Sequence, residues 1–159
     1  MNAAQFSPDT WELIRLLDRH RVAYVIVGGE AVIHYGHARL TGDVDFFYGT
    51  TPDNAARLFE ALRDFWGGEI PGVVTVNDLT PDDQVIQFGR PPNRIDLLTT
   101  ISGLSFPDVW DARQRLIADD GTPVFMISRD HLIQNKMASG RPKDLDDVAF
   151  LRGTSQRSG

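Results

Sequence analysis

The chain has 159 residues, a formal charge of −6 and no cysteine, with 42% hydrophobic and 24% charged residues. This length suits one domain with a single sizeable core. The lack of cysteine excludes disulfides and thiolate metal sites and fits a cytoplasmic protein. The negative charge argues against broad nucleic-acid binding. No apolar run approaches the roughly 18 residues of a membrane span, and no basic-then-apolar signal peptide is evident at the N-terminus.

Capping residues and hydrophobic spacing predict alternating helices and strands in the first half of the chain. Ser7 followed by Pro8 is a helix start, and an apolar stripe continues that helix to about His20. Thr51 followed by Pro52 repeats the signal, and a glycine pair ends the helix. The elements predicted here are helices over 8–20, 29–35 and 52–66 and strands over 22–27, 43–48 and 73–76.

The second half of the chain is predicted to hold two hairpins and two closing helices. Residues 84–88 alternate in polarity, and a proline turn separates them from a strand over 94–98. Asp-Gly chemistry joins a second pair of strands, 115–118 and 124–127. The remaining predictions are a helical turn over 106–113, a helix over 128–138, a helix from Pro142 to about Leu151, and a disordered tail over 153–159. The chain is therefore predicted to be a single α/β (α+β) domain over 1–152, with a small mixed sheet that has helices on one face.

A glycine turn and two aspartates carry the first functional signal. The apolar run 24–27 ends at Gly28-Gly29, and such a turn presents bare backbone N–H groups to an anion. Thirteen residues later, Asp43 and Asp45 lie at i and i+2 of a predicted strand, so both carboxylates project from one face. Carboxylates held this close repel one another. A divalent cation such as Mg²⁺ relieves that repulsion, because it prefers oxygen ligands.

Asp96 is a third candidate ligand. It lies between apolar residues in the predicted strand over 94–98. If that strand lies beside the strand of Asp43 and Asp45, three carboxylates converge. Such a set can hold two Mg²⁺ ions roughly 3.5–4 Å apart. Asp43 and Asp45 would then bridge the ions, while Asp96 would bind the ion that holds an acceptor hydroxyl and would accept its proton.

These residues together resemble the nucleotidyltransferase superfamily of the DNA polymerase β type, which has a glycine pair followed by acidic-hydrophobic-acidic residues. The longer segments Tyr24–Val32, Arg39–Asp45 and Asn135–Asp147 are similar to small stand-alone bacterial and archaeal members. Some of those members are toxin or antitoxin components. The resemblance covers about residues 22–151. One departure is that the family often has Gly-Ser where this chain has Gly28-Gly29, so a hydroxyl that would hold a phosphate is absent.

The resemblance implies transfer of a nucleoside monophosphate from a nucleoside triphosphate to an acceptor hydroxyl of RNA, protein or a small molecule, with Mg²⁺ as cofactor. A triphosphate needs positive partners besides Mg²⁺. Arg39, Lys136 and Lys143 are therefore predicted to contact phosphates, together with the backbone of Gly28 and Gly29. The expected protein partner is a cognate toxin or antitoxin, or a second copy of the chain.

Two other classes of function stay open on the sequence alone. The chain can be a non-catalytic binding partner, such as an antitoxin that keeps the fold without turnover. It can also be a small metal-binding protein with hydrolytic chemistry.

Several of these residues also have plainer interpretations. Asp43 and Asp45 can form a solvated strand face, and Asp96 can pair with Arg94. Aspartate is depleted in strands, which favours a functional role for the first two. The other plain interpretations are solvated helix positions for Lys136 and Lys143 and helix-dipole stabilisation by Asp144, Asp146 and Asp147. His34 and His37 could ligate a metal, but two histidines three positions apart in a loop more often form a polar surface.

Overall fold

The structure is a computed structural model that describes residues 6–37, 41–90 and 93–157, with side chains to Gly153. Its elements are α1 (Pro8–Arg19), β1 (Tyr24–Val27), α2 (Gly28–His34), β2 (Asp43–Tyr48), α3 (Pro52–Trp66), a 3₁₀ turn (Val76–Leu79), β3 (Val85–Phe88), β4 (Arg94–Leu98), α4 (Phe106–Asp111), β5 (Gln114–Ile117), β6 (Pro123–Met126), α5 (Arg129–Ser139) and α6 (Pro142–Arg157). The predicted mixed α/β class is confirmed. Both predicted hairpins are present as β3–β4 and β5–β6.

The strands form one mixed sheet in the order β3-β4-β2-β1-β6-β5. β2 pairs antiparallel with β1 and parallel with β4, and β1 pairs parallel with β6. β2 is therefore a central strand, and its direct neighbour is the strand that carries Asp96. This adjacency is the condition under which the sequence predicted three converging carboxylates.

One face of β2 packs into the hydrophobic core. Val44, Phe46 and Tyr48 alternate with the aspartates and are all buried, as predicted. The Tyr48 hydroxyl donates a hydrogen bond to the Leu79 carbonyl at 2.7 Å, which ties the strand to the 3₁₀ turn. Burial of each large apolar side chain contributes about 1.5–3 kcal/mol, so this face anchors the strand.

The acidic face of β2 is only partly open, because α4 covers part of it. Phe47 shares the face of Asp43 and Asp45 by alternation, yet it is only 1% exposed. Phe106 of α4 packs edge-on against it, with 5.2 Å between ring centroids. A phenyl ring is rarely left in water when a neighbour can cover it. The open part of this face is therefore confined to the aspartate end of the strand.

The predicted strand over 73–76 is wrong. That region forms an isolated bridge between Ile70 and Val73, followed by the 3₁₀ turn. The Asp78 carboxylate accepts from the backbone N–H groups of Val74 and Thr75 at 2.8 and 3.0 Å. Since a side chain takes these donors, they do not form a ladder with another strand.

The last helix is longer than predicted. It extends to Arg157, so residues 153–157 of the predicted disordered tail are helical, while residues 158 and 159 lie outside the described part of the chain. Gly153 is a weak helix former, but it costs only about 1 kcal/mol relative to alanine and does not end a helix as proline does. Among the described residues, no helix has the length and apolar character needed to span a bilayer.

Candidate active site

The three predicted carboxylates meet on one face of the sheet. In the parallel β2–β4 pair, Asp43 lies opposite Arg94 and Asp45 lies opposite Asp96. Side chains at paired positions project from the same face. One oxygen from each of Asp43, Asp45 and Asp96 lies within 4.8 Å of the others. The convergence on which the functional hypothesis depends is therefore present.

Arg94 bridges two of these carboxylates. Its Nη2 donates to Asp43 Oδ2 at 2.7 Å, and its Nε lies 3.2 Å from Asp96 Oδ1. The sequence predicted Arg94 only as a partner of Asp96. The contact with Asp43 depends on the register of two strands that are far apart in the chain, so local spacing gives no sign of it.

The three carboxylates differ in their affinity for protons. Burial, together with the charges of Asp43 and Asp96, raises the pKa of Asp45 to about 7. Burial also raises the pKa of Asp96. Burial acts to raise the pKa of Asp43, but its hydrogen bonds, led by the bond from Arg94, outweigh burial and lower it. Near neutral pH Asp45 therefore binds a proton more readily than an ordinary aspartate does. A divalent cation can replace that proton.

Asp96 supplies an independent sign that the site accepts a cation. The residue is only 5% exposed, and its Oδ1 is buried without a hydrogen-bond donor among the described residues. A buried carboxylate oxygen without a donor is costly. This oxygen and its two neighbouring carboxylates offer the hard oxygen ligands that suit Mg²⁺. The donor set therefore fits the cation that the sequence predicted.

Gly28 allows Asp45 to approach the turn. Its φ is +69°, in the left-handed region that favours glycine. A Cβ atom at this position would collide with Asp45 Oδ2. The glycine is therefore required by the site itself, whereas phosphate binding by the backbone of Gly28 and Gly29 stays a prediction.

Gly29 makes room for a hydroxyl that comes from elsewhere in the chain. A Cβ at Gly29 would lie 2.8 Å from Thr41 Oγ1. That hydroxyl lies 3.1 Å from the Asp43 carbonyl oxygen and 3.2 Å from Asp43 Oδ1, both of which can accept from it. The departure from Gly-Ser thus leaves this corner of the site with a hydroxyl, supplied by Thr41. Thr41 was not among the predicted site residues, although it lies only two positions before Asp43.

A cavity of about 490 Å³, which we call the acidic cavity, opens over the three carboxylates. Its wall includes Gly28, Gly29, Thr41, Arg94, Lys136, Arg141 and Lys143. A second cavity of about 430 Å³ shares Gly28, Asp45, Lys136 and Arg141 with the first. The second adds the neutral polar residues Gln84, Thr100, Ser102 and Asn135, together with the charged Asp83 and Asp144. Asp45 therefore lines two adjoining cavities, whereas Asp43 and Asp96 line the first.

Lys136 occupies a buried ion cluster between α5 and α6. Its Nζ donates to Asp144 Oδ1 at 3.2 Å and lies 3.3 Å from Asp147 Oδ2. Arg141 Nε donates to Asp144 Oδ2 at 2.7 Å. Burial acts to raise the pKa of Asp144, but hydrogen bonds led by that from Arg141 hold it well below its usual range. We call Lys136, Arg141, Asp144 and Asp147 the helix ion cluster.

The helix ion cluster changes the interpretation of its members. Asp144 and Asp147 are almost fully buried and form ion pairs with Lys136 or Arg141. Helix-dipole stabilisation is therefore not their only role. The solvated interpretation of Lys136 is wrong, because only 5% of the residue is exposed. Its role as a phosphate ligand stays a prediction. Lys143 is exposed, lines the acidic cavity, and forms no ion pair with the described residues; its role as a phosphate ligand also stays a prediction.

The remaining site predictions lie at the edge of this region or beyond it. Arg39 lies outside the described residues. His34 Nε2 lies 2.9 Å from Gln114 Oε1. His37 packs on Phe150 with 4.3 Å between ring centroids. The candidate metal-binding group found among the described residues contains neither histidine.

Comparison with known proteins agrees with this geometry. A family model described as a nucleotidyltransferase of unknown function (DUF6036) matches residues 9–151. A search of curated proteins found no match. The matched range includes the glycine turn, both aspartate strands and the helix ion cluster. The chain therefore belongs to this family of nucleotidyltransferases.

Proposed function

We propose that this protein transfers a nucleoside monophosphate from a nucleoside triphosphate to an acceptor hydroxyl, with Mg²⁺ as cofactor. The observation that carries the proposal is the meeting of Asp43, Asp45 and Asp96 beside the Gly28 turn, with their oxygens within 4.8 Å. Membership of a nucleotidyltransferase family supports the class of reaction. The acceptor is RNA, protein or a small molecule, and transfer of a labelled nucleotide would identify which.

The three aspartates would hold the cation, since each offers a carboxylate oxygen and these oxygens lie within 4.8 Å of one another. When bound, Mg²⁺ supplies positive charge that orients the phosphates and stabilises the leaving pyrophosphate. The exposed Lys143 lies in the wall of the same cavity, which supports its proposed contact with the outer phosphates. Arg39 and Lys136 complete the proposed phosphate contacts, together with the backbone N–H groups of Gly28 and Gly29.

In the proposed reaction the acceptor oxygen attacks the α-phosphorus. The bond from that phosphorus to the oxygen bridging the β-phosphate breaks, and pyrophosphate leaves with the electron pair. The hydroxyl proton passes to the carboxylate of Asp96, whose pKa is raised by burial. A raised pKa makes this carboxylate a better proton acceptor than an ordinary aspartate.

The two adjoining cavities suit a reaction between two substrates. The acidic cavity, with Lys143 and the three carboxylates in its wall, suits a triphosphate with its metal. The neighbouring cavity adds amide and hydroxyl groups, and Asp45 and Arg141 lie in the wall of both. We assign the second cavity to the acceptor group. A toxin or antitoxin partner, or a second copy of the chain, stays a prediction for the macromolecule that carries the acceptor.

The test is transfer of label. The protein is incubated with each α-³²P nucleoside triphosphate, Mg²⁺, and cellular RNA, cellular protein or a cellular extract of small molecules. The expected result is labelled acceptor and released pyrophosphate, both lost in Asp45→Asn. Asp120→Asn is the matched control, since Asp120 is an exposed aspartate that pairs with Arg15 on α1.

Two outcomes would contradict the proposal. Nucleotide hydrolysis without labelled acceptor would show a hydrolase. A tight complex with a cellular protein, without label or pyrophosphate, would show a binding partner that keeps the fold without turnover.

A further inference from the structure

Arg94 occupies the space between two of the three carboxylates that would hold metal. Its Nη2 lies 2.7 Å from Asp43 Oδ2 and 3.4 Å from Asp96 Oδ2, and its Nε lies 3.2 Å from Asp96 Oδ1. No ion pair joins it to Asp45 in the described part of the chain. A cation shared by Asp43 and Asp96 would therefore compete with this guanidinium for the same oxygens.

The contact of Arg94 with Asp96 is poorly formed. The Nε and Oδ1 atoms lie at ion-pair distance, yet both are buried without a hydrogen-bond partner among the described residues. An N–H that points away from its acceptor gives little of the usual stabilisation. The guanidinium is thus held well by Asp43 and weakly by Asp96. A cation with better geometry can displace it from Asp96.

Arg94 can leave without unfolding its strand. It is the first residue of β4, its side chain is 31% exposed, and it lines the acidic cavity. Its rotation changes only a side chain at the rim of that cavity. The displaced guanidinium therefore stays close to the phosphates of a bound nucleotide.

The charges of the site set how many divalent cations it accepts. Together the three carboxylates and the Arg94 guanidinium carry a formal charge of −2. One divalent cation neutralises these four side chains, whereas a second would leave an excess of +2, to which the exposed Lys143 in the cavity wall adds. A nucleoside triphosphate removes that excess and gives the displaced guanidinium a new anionic partner.

We propose that Arg94 is a tethered cation that reserves the Asp43–Asp96 position, so that the free protein binds one divalent cation and takes the second only together with a nucleoside triphosphate. The inference rests on the proposed function. It assigns to Arg94 a positioning role that acts through the two aspartates.

The test counts bound Mn²⁺ by electron paramagnetic resonance and by titration calorimetry. Each variant is measured with Mn²⁺ alone, and with Mn²⁺ plus the α,β-methylene analogue of each nucleoside triphosphate. We expect one Mn²⁺ on the wild-type protein and two with an accepted analogue. Arg94→Met should bind a second Mn²⁺ without nucleotide, about tenfold or more tightly than the wild type does, because one nearby positive charge is gone. Arg94→Lys keeps the charge and should bind like the wild type.

Arg15→Met is the matched control. It removes another arginine–aspartate contact, of 2.8 Å, far from the carboxylates in sequence and outside the acidic cavity. Circular dichroism establishes that each variant is folded. Arg94→Gln removes the charge but keeps hydrogen-bond donors, so it takes the place of Arg94→Met if that variant does not fold.

The outcomes separate this inference from the proposed function. Two Mn²⁺ ions on the wild-type protein without nucleotide would overturn the inference and leave the proposed function intact. Equal binding by Arg94→Met and Arg15→Met would do the same. Absence of Mn²⁺ binding by the wild type, with and without every analogue, would overturn the proposed function and the inference together.

Discussion

Two groups of charged residues in this molecule use the same side chains in opposite ways. In the helix ion cluster, Lys136 and Arg141 balance Asp144 and Asp147. In the group on β2 and β4, three carboxylates face a single arginine. The first group is formally neutral, whereas the second keeps an excess negative charge, although residues of both line the acidic cavity.

The difference teaches how to tell a structural ion cluster from a site that accepts a ligand. Both carboxylates of the helix ion cluster contact a cation within 3.3 Å. On the sheet, Asp96 keeps a buried oxygen that has no donor in the described part of the chain. Burial of an unbalanced charge is costly, so such a group persists where a ligand completes it. Four measurements test this contrast between the two groups.

The largest effect should come from Asp45→Asn. We expect transfer activity to fall about 10³-fold or more, because a neutral amide is a poor ligand for a hard divalent cation. The fold should survive, since Asp45 contributes excess negative charge rather than a balanced ion pair. Label transfer and circular dichroism measure the two effects. If Asp45→Asn lowered the free energy of unfolding as much as Asp144→Ala does, the two groups would not differ in their structural role.

Asp144→Ala should lower the free energy of unfolding. Asp144 is 0% exposed and contacts both Lys136 and Arg141. Its removal leaves a buried lysine with one carboxylate partner fewer, and breaking a buried pair typically costs about 3–5 kcal/mol. Urea unfolding gives the free energy of unfolding. A loss smaller than that of the exposed control Asp120→Asn would show that this cluster is not structural.

The stability of the folded protein should depend on pH through Asp45. The folded-state pKa of Asp45 is raised to about 7 from 3.8, so between those values the folded state binds more protons than the unfolded state. The contribution of Asp45 to the free energy of unfolding is therefore fully present below about pH 4 and is lost as the pH rises to 7. The slope is at most about 1.4 kcal/mol per pH unit.

Urea unfolding from pH 4 to pH 8 measures this slope. Asp45→Asn should remove it, and saturating Mg²⁺ should raise stability most at the upper end of the range. The pKa of Asp120 is lowered to about 2, so its contribution changes only below pH 4 and Asp120→Asn should leave the slope unchanged. An equal slope in Asp45→Asn and the wild type would show that Asp45 titrates as an ordinary aspartate.

The smallest effect should come from the glycine turn. In Gly29→Ser the new Cβ would lie 2.8 Å from Thr41 Oγ1, and overpacking of this kind costs about 1–3 kcal/mol. Thr41→Ala removes the obstructing hydroxyl, so the double variant should be more stable than the two single changes predict. Thermal unfolding of all four proteins gives the coupling between the two positions. Additive effects would mean that Thr41 does not fill the space beside Gly29.

The sequence by itself determined the local features of this protein. Proline after a capping residue set the starts of α1 and α3, and polarity alternation put Asp43 and Asp45 on one face of β2. The glycine pair and its spacing to the aspartates also predicted the nucleotidyltransferase family, which the family match confirms. These features need only neighbouring residues, because capping and alternation act over a few positions.

The tertiary structure alone decided the partners of those side chains. The parallel register that puts Asp96 beside Asp45, and Arg94 beside Asp43, joins residues about 50 positions apart. The burial of Lys136 by Asp144 and Asp147 depends on the packing of α5 against α6. Local patterns fix the face on which a side chain lies, but its neighbour across the sheet or between helices depends on how distant segments pack.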